Sequence, residues 1–176
     1  MSIRLLYPFI ALSALGFILS VLAHIASWLG LHVPEASFVL HIGIFVVWIP
    51  TVLIANSLAK NHDRKDYWKV VWRGAPKWAQ YLMYGIFYYA MFNFVLFFLP
   101  IFGVINVPDQ DMSVSEMKFA SGHWMVFYSA ALLTLYSATQ IRKKDLIRKC
   151  PNGHEVSLEA TLCEKCGRLL LDEQQS

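Results

Sequence analysis

Cys150, His154, Cys163 and Cys166 are the residues best placed to act together, at a spacing of C-x3-H-x8-C-x2-C that uses every cysteine in the chain. Zinc prefers four soft or borderline ligands in a tetrahedron, and closed sets of cysteine and histidine are its structural sites. Two short knuckles of two ligands each provide such a set, with Gly153 and Gly167 where each backbone must turn sharply. Three thiolates and a neutral imidazole on a divalent cation leave a net charge of about −1. Lys149, Lys165 and Arg168 are near enough in sequence to offset it. Two other chemistries draw on the same residues. One is a disulfide, which leaves a third cysteine over. The other is a redox-active C-x2-C, although no thioredoxin-like strand–helix pattern surrounds Cys163 and Cys166.

The stretch 150–171 resembles the zinc-ribbon family, in which a CP-containing knuckle precedes a CxxCG knuckle. The matching residues are Cys150-Pro151-Asn152-Gly153-His154 and Cys163-Glu164-Lys165-Cys166-Gly167. His154 departs from the four-cysteine form by standing one position later than the usual second cysteine. The resemblance implies a zinc module that binds a partner or stabilises a tail, since few zinc ribbons are catalytic. About 22 residues cannot build an adequate core, so metal binding is expected to fold this segment.

A second set of candidates lies in apolar sequence. His24, His41 and His123 fall in three different apolar runs. Counted from each run's centre at about 1.5 Å per residue, all three lie roughly 9–11 Å to the same side of the midplane. Glu116 precedes His123 by one heptad, so a continuous helix puts both on one face. Neutral imidazoles suit zinc, copper or haem iron, and Glu116 or Asp109 can add a carboxylate. A second metal or haem site is one reading, and three independent interfacial histidines are the other. Asn93, near the middle of the third run, can hydrogen-bond across helices or line a solute path. No phosphate-binding glycine loop, GxSxG or HExxH motif is present, and Asp109 and Asp111 read as solvated loop acids.

The elements that must position these residues follow from composition. Of the 176 residues 57% are hydrophobic and 15% charged, where a soluble domain has roughly 45–50% and about 25%. The excess falls into four runs, about 5–29, 36–58, 79–103 and 120–141. Each approaches the roughly 20 residues that cross a hydrocarbon core of about 30 Å. Lipid offers backbone groups no partners, so such runs are expected to be helices. The first exceeds a typical signal-peptide core and reads as a retained helix.

Lys60, Arg64, Lys65, Lys69, Arg73 and Lys77 follow the second run, and Arg142, Lys143, Lys144, Arg148 and Lys149 follow the fourth. The loop 30–35 has no cation, and 104–119 has Lys118 alone. Cations mark the cytoplasmic side, which predicts both termini there and the histidines outward. Segment 63–73, with Asp63 as cap, predicts an interfacial amphipathic helix with Tyr67, Trp68, Val71 and Trp72 on one face. Small residues Ser13, Gly16, Ser20, Ala23 and Ser27 in the first run, and Ala130, Thr134 and Ser137 in the fourth, predict close helix seams. Ser113 with Glu116 can start the last helix early, and Pro50 and Pro100 can kink the second and third.

The expected architecture is all-α: a four-helix transmembrane bundle over 1–149, a zinc ribbon over 150–171 and a disordered tail over 172–176. The expected protein is a multi-pass component of a cell or inner membrane. Its partners would be the bilayer and a cytoplasmic protein engaged through the ribbon, with no nucleic acid. A non-enzymatic interaction or regulatory role comes first. A redox, metal or haem protein using the histidines is the alternative, and a small transporter or channel subunit is another.

Overall fold

The computed structural model describes residues 3–31, 34–60, 62–105, 109–145, 147–157 and 160–170. The predicted tail 172–176 and the side chains of Asp109, Asp111 and Ser113 lie outside the described residues. The chain runs from a 3-10 turn, Ile3–Leu6, into helix α1 (Tyr7–Trp28) and α2 (Pro34–Ala59). A second 3-10 turn, Arg64–Asp66, leads into the short α3 (Tyr67–Val71), followed by α4 (Lys77–Ile101) and α5 (Asp109–Asp145). A two-stranded antiparallel hairpin, β1 (Ile147–Lys149) and β2 (Glu155–Ser157), opens the tail.

Three helical segments are long and apolar enough to cross a membrane: Arg4–Trp28, Phe38–Ala59 and Lys77–Ile101. Among the described residues α5 is not a fourth by that measure. Its position explains the difference. α1, α2 and α4 all pack on α5, so protein covers much of its surface. A helix wrapped by others can carry serine, threonine and tyrosine in place of leucine. Ser121, Tyr128, Thr134 and Ser137 of α5 are buried. At 37 residues α5 is roughly 55 Å long. It begins at Asp109 rather than 120, so the acids expected in an outer loop belong to its first turn.

The outer helices show the reverse pattern. α1 buries Ser13, Gly16, Ser20, Ala23 and Ser27 and exposes Leu12, Leu15, Ile18 and Leu22. The small residues permit close approach, and the buried hydroxyls are satisfied within the helix. Ser13 Oγ donates to the Phe9 carbonyl at 2.7 Å and Ser20 Oγ to that of Gly16 at 2.6 Å. Tyr128 of α5 fills the slot this creates. A Cβ on Gly16 of α1 would collide with its ring, and one on Gly43 of α2 with its hydroxyl. That hydroxyl donates to the Leu40 carbonyl at 2.8 Å.

The segment between α2 and α4 departs from a simple interfacial helix. Its helical part is one short turn, and Asp63 makes no side-chain capping bond. Trp68 stays exposed, but Val71 and Trp72 are buried against the bundle. Trp72 Nε1 donates to Thr134 Oγ1 at 3.0 Å, and Ser137 Oγ donates to the Val71 carbonyl at 2.6 Å. Gly74 N donates to the same Ser137 Oγ at 3.0 Å. Val71 and Trp72 of the expected headgroup face are thus spent on docking against the bundle, while Trp68 stays outward.

Candidate metal centre

The tail folds locally around two turns. In the first, β1 and β2 pair in the register Lys149↔Glu155, and Gly153 N donates to the Cys150 carbonyl at 2.7 Å. In the second, Gly167 N donates to the Cys163 carbonyl at 2.8 Å and Cys163 N to that of Arg168 at 2.9 Å. A bridge between Leu162 and Leu169 closes it. Gly153 and Gly167 adopt φ of 80° and 67°, a left-handed conformation that any side chain would strain. The glycines fold each chain segment back so that its two ligand side chains face the same point.

The ligand atoms of Cys150, His154, Cys163 and Cys166 all lie within 4.8 Å of one another. Cys150 Sγ is 3.6 Å from His154 Nδ1 and 3.9 Å from Cys166 Sγ, and Cys163 Sγ is 3.8 Å from His154 Nδ1. Two thiolates each about 2.3 Å from a shared tetrahedral ion stand about 3.8 Å apart, and a thiolate and imidazole nitrogen slightly closer. The observed separations fit that geometry. They exclude a disulfide in this arrangement, which needs about 2.05 Å between sulfurs, and all three thiols are free. The group can hold a metal ion, and zinc is compatible with its donors.

The thiols are poised differently. Burial pushes the Cys163 thiol up, but hydrogen bonds from the backbone N–H groups of Cys166 and Lys165, and from the Cys166 and Cys150 side chains, outweigh it and bring the pKa to about 6. Cys166 moves the other way. The Arg168 backbone N–H lowers its pKa, but its hydrogen bond to Cys163, its burial and the neighbouring Cys150 raise it further. The two neighbouring thiols are thus pushed in opposite directions, Cys163 toward the thiolate and Cys166 toward the thiol.

The second candidate set separates. His24 of α1 is buried and fully engaged. Its Nε2 accepts from Trp28 Nε1 at 3.1 Å and lies 2.6 Å from the Tyr89 hydroxyl, while its Nδ1 lies 2.7 Å from Ser121 Oγ. An indole N–H only donates, so the proton sits on Nδ1 and is given to Ser121, whose hydroxyl donates to the Met117 carbonyl at 2.6 Å. Lys118 Nζ stands 3.8 Å over the Trp28 ring and closes this knot of α1, α4 and α5. His41 and His123 do meet, with stacked rings 6.2 Å apart between centroids. Yet Trp124 Nε1 donates to His41 Nδ1 at 2.9 Å, which places that proton on Nε2 and occupies the free lone pair. Glu116 and His123 are exposed on α5. Among the described residues, no metal-competent group of three forms around these histidines.

Tyr89, Ser121, Trp28 and Trp124 were not singled out in the sequence. The His24–Trp28 spacing of one helical turn was readable there; the partners on other helices had no local signal. Asn93 is buried, and its Nδ2 donates to the Tyr89 carbonyl of its own helix at 2.9 Å. Comparison with protein-family models, curated proteins and solved structures finds no match to this chain.

Proposed function

We propose that this is an integral membrane protein whose cytoplasmic tail is a structural zinc ribbon, serving as a non-enzymatic interaction or regulatory module. The observation that carries the reading is the convergence of Cys150, His154, Cys163 and Cys166 at tetrahedral spacing on two glycine-turned knuckles. Four protein donors fill the tetrahedron and leave no open position for a substrate, which is the mark of a structural site. Zinc bound there would supply the folding free energy, roughly 10–16 kcal/mol in comparable peptides. The chain's own part is to present the ligands: the amides of Lys165 and Cys166 hold Cys163 ready as a thiolate.

The membrane part of the reading rests on α1, α2 and α4, with α5 crossing in their shelter. Cations cluster where α2 passes to α4 and where α5 passes to the tail, which favours both on the cytoplasmic side. A reducing compartment suits free thiols. The rival metal or haem site on the histidines has less support, since His24 has no free nitrogen and His41 offers a donor.

Metal analysis of protein purified in detergent tests the proposal. One equivalent of zinc is expected, with none in a Cys163→Ser, Cys166→Ser variant. Substoichiometric zinc in the native protein, or zinc that survives both substitutions, overturns it.

A further inference from the structure

Among the described residues the backbone of α4 comes close to α5 alone, and α4 reaches α1 through the Tyr89–His24 side-chain contact, so a groove remains along its α2 side. The groove encloses about 390 Å³ between Trp48 of α2, Tyr84 and Phe87 of α4, and Phe127 of α5. Trp68 and Trp72 also line it. A further cavity of about 200 Å³ continues it, sharing Phe87, Val126 and Phe127. Apart from His123, Tyr84 and Tyr88 the lining is apolar or indole ring, which suits an apolar chain.

Charge identifies the chain's headgroup. From Lys60 to Lys77 the sequence carries six cations and two acids. Lys65 and Lys69 lie 3.5 and 3.9 Å from Asp63 and Asp66, both as exposed pairs. Among the described residues, Lys60, Arg64, Arg73 and Lys77 have no carboxylate partner. Lys69, whose pair with Asp66 is solvent-exposed, follows Trp68 in sequence, and Arg73, which has no carboxylate partner, follows Trp72, so both stand one residue from rings that line the groove. Each cation near a membrane surface favours an anionic lipid by about fivefold.

We propose that this groove is a binding site for one anionic glycerophospholipid, its acyl chain along the aromatic wall and its phosphate among Lys69, Arg73 and Lys77. The site rests on the membrane reading above, and one experiment separates the two. Membranes are first extracted with alkaline carbonate. The full-length protein is then purified in detergent and offered equal phosphatidylglycerol and phosphatidylcholine, and bound lipid is counted by native mass spectrometry. One phosphatidylglycerol per chain is expected, favoured at least about tenfold. That preference should fall to near parity in the exposed Lys69→Gln, Arg73→Gln, Lys77→Gln variant. Ala130→Leu, which narrows the groove, should reduce retention of either lipid while zinc content stays the same. Equal retention of both lipids, an uncharged isoprenoid in the groove, or a second copy covering it without lipid overturns the site. Release of the protein by carbonate overturns the membrane reading instead.

Discussion

The helices and the tail are held together by opposite means. The helices interlock over many contacts: Trp124, Leu135, Val47 and Val71 are almost wholly buried, and Tyr128 keys α1 and α2 to α5 through Gly16 and Gly43. The core of the tail holds Cys150, Cys163 and Leu170, with Val156 and Ala160 partly buried against them. Two of its three buried residues are candidate metal ligands, so on the proposed reading the core depends on an ion. In the helices no single group has that standing. If the tail binds zinc as proposed, the chain sets a metal-dependent unit beside one held by packing, and the first should respond to conditions that leave the second unchanged.

The sharpest way to break this contrast is to remove the metal. Chelation, or Cys163→Ser with Cys166→Ser, should abolish amide exchange protection across 147–170, while α1, α2, α4 and α5 keep theirs; loss of protection in both would dissolve the distinction. The converse change attacks the packing. Trp72→Ala empties a buried site and drops the bond to Thr134, and should cost the helical part about 3–5 kcal/mol with zinc stoichiometry unchanged. Gly16→Val forces Tyr128 out of its slot and should cost about 1–3 kcal/mol, read as a lower melting temperature in detergent.

Acid sharpens the contrast further. The Cys163 pKa lies below its ordinary value of 9.0, at about 6. A depressed acid contributes stability above its unfolded pKa and loses it as pH falls through the folded one. Zinc affinity should weaken steadily as pH falls from about 9 to about 6, with helical content steady; zinc-binding titrations at several pH values beside circular dichroism check this. The smallest effect belongs to the surface. Asp63→Ala breaks an exposed pair with Lys65 and should shift stability by less than about 0.5 kcal/mol.

Residue spacing made some of this legible and topology hid the rest. The seam of α1 could be read because small residues recur on one helical face, and each of its five members is buried. The convergence of Cys150, His154, Cys163 and Cys166 could be read because their spacing is local and their turns need glycine. The axial place of α5 could not, since a run's hydropathy says how apolar it is and not which helices surround it. Its serines and threonines were the available sign. The histidines show the same limit. Depth along a helix follows from counting residues, but rotation about the axis decides that His41 meets His123 while His24 turns to Ser121 and Tyr89.

Zinc K-edge X-ray absorption on the purified full-length protein tests the central claim most directly. The account predicts three sulfur scatterers at about 2.3 Å and one nitrogen at about 2.0–2.1 Å, the nitrogen replaced in His154→Ala. A shell with fewer sulfurs and oxygen in their place, or one unchanged by that substitution, would contradict it.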